Sequence, residues 1–514
     1  MPAIRTPVQA PASTSPATAR PASVSSCRKW YTLAVLCLSL LITVVDATIV
    51  NVALPTLARD LRAGTSGLQW ITDSYTLAFA ALLLLAGAIA DRFGRHRSLA
   101  AGLTVFAVGS LAAALTRTTA ELVAARAVMG TGAAFIMPAT LSILTSVFTD
   151  PGERAKAIGI WSAISGLGVA IGPVVGGVLL AHFSWDSIFL VNLPLTAIAL
   201  AAGYWLVPAS RSPVARRLDI AGAITSVAAF TALTWALIAA PASGWLSAAT
   251  LGRLAGAGVL LAAFTVIEAR SDHPMLPLSL FRNRRLAGAA IALLALFFAL
   301  SGMVFLTTQI YQIVLGYSPL GAGLRALPPA MTLAIAAAAG AHLAKRAGAR
   351  VPVVGGLVLV TAGLGFFATA TAASSYAHYV IAMVLVSTGI GLAMSAATTL
   401  TMEQLPPALA GVGSAVNDAT RNMGSVLGVA VVGSVTTSAF ASRLAGRHVP
   451  GASLGQAIAA AHDAGGHAGS MVHAIAGAFV TGADYGVLAA AAVALAGIAI
   501  AFVTLRQPGR SAQA

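Results

Sequence analysis

Charge is scarce in this chain. Of 514 residues only 9% are Asp, Glu, Lys or Arg, against roughly 25% in an ordinary soluble domain, so a soluble globule is excluded. Cysteine is scarcer still, with Cys27 in a polar N-terminal stretch and Cys37 in the first apolar run; no disulfide framework follows from that pair. A G-x-x-x-x-G-K-S/T run is absent, which removes the usual cradle for ATP phosphates. The apolar runs hold no H-E-x-x-H pair, no Ser/His/Asp set and no cluster of carboxylates at one end. An intramembrane enzyme is the weakest reading for that reason, and no metal or cofactor is expected. Nor does a cleaved leader fit, because the apolar run from Trp30 is much longer than a leader core and ends without a small-residue cleavage site.

What is present is hydrocarbon, at 58% of residues. Apolar runs long enough to cross a core of about 30 Å, which takes about 20 helical residues, recur from end to end and number about fourteen. Without water to satisfy an open backbone, the spans must be helices, so the expected fold is an all-α polytopic membrane protein. A net charge of +15 would suggest nucleic acid in a soluble chain, yet the basic residues fall in alternate breaks between apolar runs. Arg28 and Lys29, Arg92 with Arg95 and Arg97, Arg154 and Lys156, Arg282 to Arg285, and Lys345 with Arg346 and Arg350 all belong to one set of ends. The positive-inside rule assigns that set to the cytoplasm and places both termini there, in a cell (cytoplasmic) membrane. Trp30 and Tyr31, next to Arg28 and Lys29, add an interfacial anchor.

Residues 1–29 are rich in Pro, Ala, Ser and Thr and read as a disordered cytoplasmic tail. A six-helix bundle is expected over 30–207, two extra spans and an interfacial helix over 208–286, and a second six-helix bundle over 287–505, followed by a tail at 506–514. Within the last bundle, 440–480 reads as a long outer loop. His448, His462, His467 and His473 in it have no carboxylate or Cys to complete a metal-ligand spacing. Ala90-Asp91-Arg92-Phe93-Gly94-Arg95 is echoed by Ala344-Lys345-Arg346-Ala347-Gly348-Ala349, and repeated halves are how many secondary transporters alternate access.

Asp46 is the residue that most needs explaining, because an acid near mid-bilayer costs on the order of 2.5–3.5 kcal/mol when ionised and so is retained for a task. It reads as a proton carrier; the competing reading is a permanently ionised acid paired for packing. Helix rise puts Asp46 about 12 Å and Arg126 about 8 Å from the outer ends of their spans. Asp73 enters the second span at a similar level, so one Arg is positioned to exchange between two acids. Asp73 has a plainer alternative, as a polar anchor near Trp70. Asp418 and Arg421, three apart, share one helix face and can neutralise each other. Arg325, Glu403 and Asp484 lie near span ends and read as interfacial. Gly168, Gly172 and Gly176 form a stripe that lets another helix approach closely, and Pro173 adds a bend; Gly424 and Gly428 read as its counterpart in the second half. Asn51, Phe135, Met137, Trp161, Phe305, Gln309 and Gln312 either line a cavity or pack, and Asp418 with Arg421 belongs to the same open question.

Four blocks in order carry a resemblance. They are Asp46 to Pro55, Gly87 to Arg97, Arg126 to Gly132, and Gly166 to Gly177 around Gly172-Pro173. Over nearly its whole length the chain resembles the fourteen-span drug:proton antiporter branch of the major facilitator superfamily. That resemblance implies two six-helix bundles with two inserted spans, and a proton-coupled antiporter exporting drug-like or antibiotic small molecules by alternating access, with the proton gradient as its energy source. It implies a part in proton transfer for Arg126. It also implies gating roles for Gly87, Asp91, Arg92, Gly94 and Arg95 and an antiport association for Gly168, Gly172, Pro173 and Gly176. The expected partners are an amphipathic or aromatic small molecule, protons and the bilayer, with no nucleic acid and the chain acting as a monomer. A proton-coupled nutrient or metabolite transporter is the second reading. Asp186 and Ser187 stand where relatives usually have Arg and Trp, so the substrate range of no single relative carries over.

Overall fold

The computed structural model describes residues 26–208, 219–271, 274, 278–404, 410–444, 454, 457–458 and 468–505. Among these residues no strand occurs. The helices, in order, are α1 (Ser26–Asp60), α2 (Thr65–Phe93), α3 (Arg95–Leu115), α4 (Thr119–Val147), α5 (Pro151–His182), α6 (Ser187–Leu190), α7 (Asn192–Leu206), α8 (Ile220–Ser243), α9 (Ala248–Arg270), α10 (Arg284–Gln309), α11 (Pro319–Arg325), α12 (Leu327–Ala347), α13 (Arg350–Phe367), α14 (Tyr376–Glu403), α15 (Ala410–Leu444) and α16 (Ala468–Thr504). A π turn, Ile310–Val314, extends α10. Thirteen of these segments are long and apolar enough to cross a membrane, and the count reaches 14 when the bent α2, which turns by 51° between Thr65–Leu83 and Leu85–Phe93, is taken as one span.

Local chemistry punctuates the helices. Thr118 and Glu121 form a reciprocal capping box at the start of α4, which satisfies amide donors that have no partner inside the helix. Asp150 caps α5 ahead of Pro151, Ser247 caps α9 and Ser318 caps α11 ahead of Pro319. Proline suits the first helical position because its missing N–H would be orphaned there anyway. These caps lie at the ends of apolar stretches, so the chain reverses direction there.

The two halves repeat one another. Gly94 (φ 111°) turns the chain between α2 and α3, and Gly348 (φ 78°) turns it between α12 and α13, at the two copies of the echoed motif. The second span is interrupted in each half, by the bend within α2 and by the break at Ala326 between α11 and α12. The glycine stripe of α5 seats α1, since a Cβ on Gly168, Gly172 or Gly176 would strike Val44, Thr48 or Ile49. In the second half a Cβ on Gly424 or Gly428 would strike the backbone of Leu294 or Phe298 on α10. Of the inserted pair, α8 lies against the seam between the halves and α9 packs on α8: Ser434 on α15 donates to the Leu237 carbonyl on α8 at 2.9 Å, and Trp245, between α8 and α9, donates to Ser438 at 2.9 Å.

Three expectations need correction. The segment before α10 is a short 3-10 turn, Leu278–Arg282, rather than an interfacial α-helix; residues 272–273 and 275–277 lie outside the described residues. The outer loop is shorter than 440–480, because α15 runs to Leu444 and α16 starts at Ala468. Asp484 is therefore no span-end residue but sits well inside α16, and one of its carboxylate oxygens is buried. Small residues led to this misreading: the Ala- and Gly-rich 468–481 looks like loop, yet it packs as helix. His448, His462 and His467, together with 1–25 and 506–514, lie outside the described residues.

Candidate functional site

Gly130 and Gly132 bring α4 close to its neighbours. A Cβ on Gly130 would strike the Tyr75 carbonyl of α2, and one on Gly132 would meet the Phe106 amide of α3 at 2.6 Å. That close approach carries Arg126 into the interior, where its guanidinium pairs with Asp46. The two side chains are 1% and 0% exposed. Arg126 Nε donates to the Ile71 carbonyl at 3.3 Å, and its guanidinium lies 4.3 Å from the centre of the Tyr75 ring. Tyr75 in turn donates to the Thr43 carbonyl at 3.1 Å.

The second carboxylate oxygen of Asp46 accepts from Asn192 Nδ2 at 3.0 Å. Asn192 is delivered by a break in the sixth span, where α6 ends at Leu190 and α7 restarts at Asn192. Its amide also donates to Ser110 Oγ at 3.1 Å, and Ser110 donates to the Phe189 carbonyl at 2.8 Å. Six elements, α1, α2, α3, α4, α6 and α7, thus converge on one buried charge pair. Buried ions keep their charge only where partners satisfy them, and here both carboxylate oxygens are engaged, as are two guanidinium nitrogens and the guanidinium face over Tyr75. In this state the pair has no aqueous contact.

Asp73 stands apart from that network. It is buried, but it shares the helix face of Gln69 rather than that of Ile71 and Tyr75, and its Oδ2 has no hydrogen-bond partner among the described residues. Sequence reasoning located the two charges of the pair and gave no role to Asn192, Ser110, Tyr75 or Gln69. The one signal for Asn192 was an amide in an otherwise apolar stretch ahead of Leu193-Pro194.

A second feature is the closure between the halves at the face opposite the basic turns. Gln69 Nε2 donates to the Val429 and Ala430 carbonyls at 3.1 and 3.0 Å and lies 3.3 Å from Ser434 Oγ. Gln312 donates across to the Val52 carbonyl at 2.7 Å. Gly323 of α11 packs on the Pro173 carbonyl of α5, and Gly177 of α5 packs on Pro319 and Leu320. By contrast, the ion pairs described at the basic face join residues of the first half. Asp91 pairs with Arg95 at 3.1 Å, Arg95 also donates to the Ser142 carbonyl at 3.0 Å, and Lys29 pairs with Glu153 at 3.0 Å. Arg92 lies over the exposed Phe93 ring.

The remaining candidates are dispersed. A Cβ on Gly102 of α3 would meet Phe135 at 2.9 Å, so Phe135 packs inside the first half. Gln309 is buried and donates to the Phe305 carbonyl of its own helix at 3.2 Å. Asn51 donates to Thr48 O at 3.4 Å, and Trp161 donates to Thr140 Oγ1 at 3.3 Å. Met137 and Gln312 are half-buried. Asp418 and Arg421 pair at 3.7 Å, with the guanidinium 4.5 Å from the centre of the Phe297 ring on α10.

Two repeated halves, a buried pair in the first and a closure across the seam describe a transporter scaffold, and residues 36–429 match the Major Facilitator Superfamily. The chain belongs to that superfamily. Among curated relatives of this superfamily member, the multidrug resistance protein Stp of Mycobacterium tuberculosis is 39% identical over 79% of this chain and 76% of its own length. The tetracenomycin C resistance and export protein of Streptomyces glaucescens is 33% identical over 94% of this chain and 93% of its own. Among solved structures, a bacterial homolog of the human lysosomal transporter Spinster superposes with a TM-score of 0.69 at 15% identity, covering 94% of this chain and 97% of that one. That likeness concerns the fold. The protein is a multi-pass membrane protein of the superfamily.

Proposed function

We propose that the protein exports drug-like or antibiotic small molecules, amphipathic or aromatic in character, across the cytoplasmic membrane in exchange for protons, by alternating access between its halves. The basic turns face the cytoplasm, as do both termini, and the conformation described is closed toward the outside. The proton gradient supplies the energy and no cofactor takes part.

The Asp46–Arg126 pair carries this reading. A guanidinium partner favours the ionised form of the carboxylate; when α4 shifts against α1 within the first half during the cycle and the pair separates, the acid stands in an apolar site that favours its neutral form. Proton uptake is thereby linked to conformation, which is the thermodynamic requirement for coupling. The pair is sealed here, so proton exchange belongs to another state of the cycle. Asp73, buried at the seam, is the second acid placed to take part. The closure by Gly323, Pro173, Gly177 and Leu320 supports a gating role for Pro173 at the outer face, with Gly168, Gly172 and Gly176 holding α5 to α1 behind it, and the Asp91–Arg95 corner supplies charges for closure at the inner one. The curated relatives named above for multidrug resistance and for tetracenomycin C export support the substrate class.

A drug-susceptibility panel in a sensitive strain expressing wild type or Asp46→Asn tests the proposal. Protection by the wild type that disappears in the variant, at equal membrane expression, is the expected result. Equal protection from both proteins removes Asp46 as the coupling acid, and protection from neither removes export.

A further inference from the structure

The second half contains a buried polar set of its own. In the first half the pair and its amide partner come from the first, fourth and sixth spans, on α1, α4 and α7. The repeat relates these to α10 with its π turn, to α14 and to α16. On those elements sit Tyr311, Tyr379 and Asp484, and each has a buried side-chain oxygen without a hydrogen-bond partner among the described residues: both phenol oxygens and Asp484 Oδ1. Tyr311 and Tyr379 are 3% and 0% exposed. Buried polar atoms in folded chains are nearly always paired, so three orphans on three adjoining spans call for a ligand that supplies the missing interactions.

The geometry gathers them. The Tyr311 and Tyr379 ring centres are 6.5 Å apart, and α16 carries Asp484 past the same end of α14: a Cβ on Gly477, about two turns before Asp484, would meet Ala372, just ahead of α14, at 3.7 Å. Tyr311 owes its position to the π turn Ile310–Val314, and such turns are over-represented at functional sites. Tyr376 and Tyr317 complete an aromatic wall, at 5.6 and 6.4 Å from Tyr311. Arg325 covers this wall from the outer face, 3.8 Å above the Tyr317 ring, and Tyr376 donates to its carbonyl at 3.1 Å. Arg325 belongs to α11, the helix that closes on Pro173.

We propose that Asp484, Tyr379 and Tyr311 form a second proton-binding site, in the C-terminal half. A proton from water adds to Asp484 Oδ1, making an O–H able to donate to the Tyr379 phenol oxygen; the reverse step returns it to water and restores the carboxylate. Because Arg325 rides on α11, opening of the outer closure uncovers the set and gives it access to water. The other groups facing it are few. From α14 there is His378, stacked on Phe366, and from α11 Arg325. Asp418 and Arg421 on α15 lie more than about 20 Å away along the helix axis. Arg443 and Tyr485 line a separate cleft with Trp245, His473 is exposed near the start of α16, and the cations of α10 and α13 sit at the basic face.

The site extends the proton-coupled reading, and its test is independent of any exported compound. Infrared difference spectra of the full-length protein in liposomes, titrated across the neutral range, read carboxyl protonation directly. A protonated-carboxyl component is expected in the wild type that is lost in Asp484→Asn, returns at a shifted frequency in Asp484→Glu, is displaced in Tyr379→Phe and persists in Asp46→Asn. The conservative Glu and Phe variants decide the matter if the Asn variant does not fold. An unchanged carboxyl band in Asp484→Asn, or an unshifted one in Tyr379→Phe, overturns the proposal. A wild type that shows the component yet confers no drug protection counts against export alone.

Discussion

Arg126 reaches Asp46 across the space between α4 and α1, and neither charge touches solvent. Removing one member of such a pair strands the other in a low-dielectric interior, which costs about 3–5 kcal/mol, whereas removing both costs much less. Asp46→Asn and Arg126→Gln are therefore each expected to lower the thermal unfolding midpoint of the detergent-solubilised protein. The double variant is expected to recover a large part of that loss while remaining inactive in export. Strict additivity of the two single effects would mean that the pair does not interact as described.

Gly323 lies against the Pro173 carbonyl, and backbone cannot yield as a side chain can. An added methyl must push α11 from α5, an overpacking cost of about 1–3 kcal/mol borne only by the closed state. A cost of about 1 kcal/mol is a roughly fivefold shift in the population of two conformers. In a background with Cys27 and Cys37 replaced by Ser, Gly323→Ala is expected to speed maleimide labelling of Leu320→Cys by about that factor. Unchanged labelling would show that this contact does not hold the outer face shut.

How far the sequence revealed all this depends on what each residue type announces alone. A single acid in a hydrocarbon run announces itself, so Asp46 was found, and the depth of Arg126 followed from helix rise. The glycine stripe of α5 announced a close helix contact but not its partner, which proved to be α1 for Gly168, Gly172 and Gly176 and α11 for Gly177. Asn192, Ser110 and Gln69 were not legible as functional, because an amide or hydroxyl in a span is cheap enough to occur for packing alone. Only three-dimensional convergence marks them. Asp73 was legible by its depth, which matches the pair, but its helix face, which is that of Gln69, was not. Asp484 was misplaced because Ala and Gly carry little hydropathy signal to distinguish loop from helix.

Gln69 holds three oxygens of α15 from the other side of the seam. Breaking them affects only the state in which α2 and α15 meet at the outer face. A net hydrogen bond is worth about 1 kcal/mol, so Gln69→Leu is expected to shift the population toward the outward-open state by roughly fivefold per bond lost, with Gln69→Glu doing the same because a carboxylate cannot donate to carbonyls. Spin-label distances between the outer ends of α2 and α15 would lengthen in both variants; an unaltered distance distribution would rule out a closing role for this side chain.

Two glycines of the α2–α3 corner are expected to respond differently to the same substitution. Gly94 has φ 111° and ψ 129°, in a region that is essentially glycine's own and costs other residues about 1–3 kcal/mol. A Cβ on Gly87 meets only the Pro138 Cβ, at an ordinary 3.7 Å. Gly94→Ala is therefore expected to lower the unfolding midpoint and Gly87→Ala to leave it nearly unchanged. Gly348→Ala, at φ 78° and ψ 157°, is expected to repeat the Gly94 result, because the repeat places the same turn in the second half. The three midpoints, measured in one detergent, separate a conformational need at Gly94 and Gly348 from a packing need at Gly87. A large loss at Gly87 with none at Gly94 would reverse that assignment and locate the constraint of the corner in helix contact instead of backbone conformation.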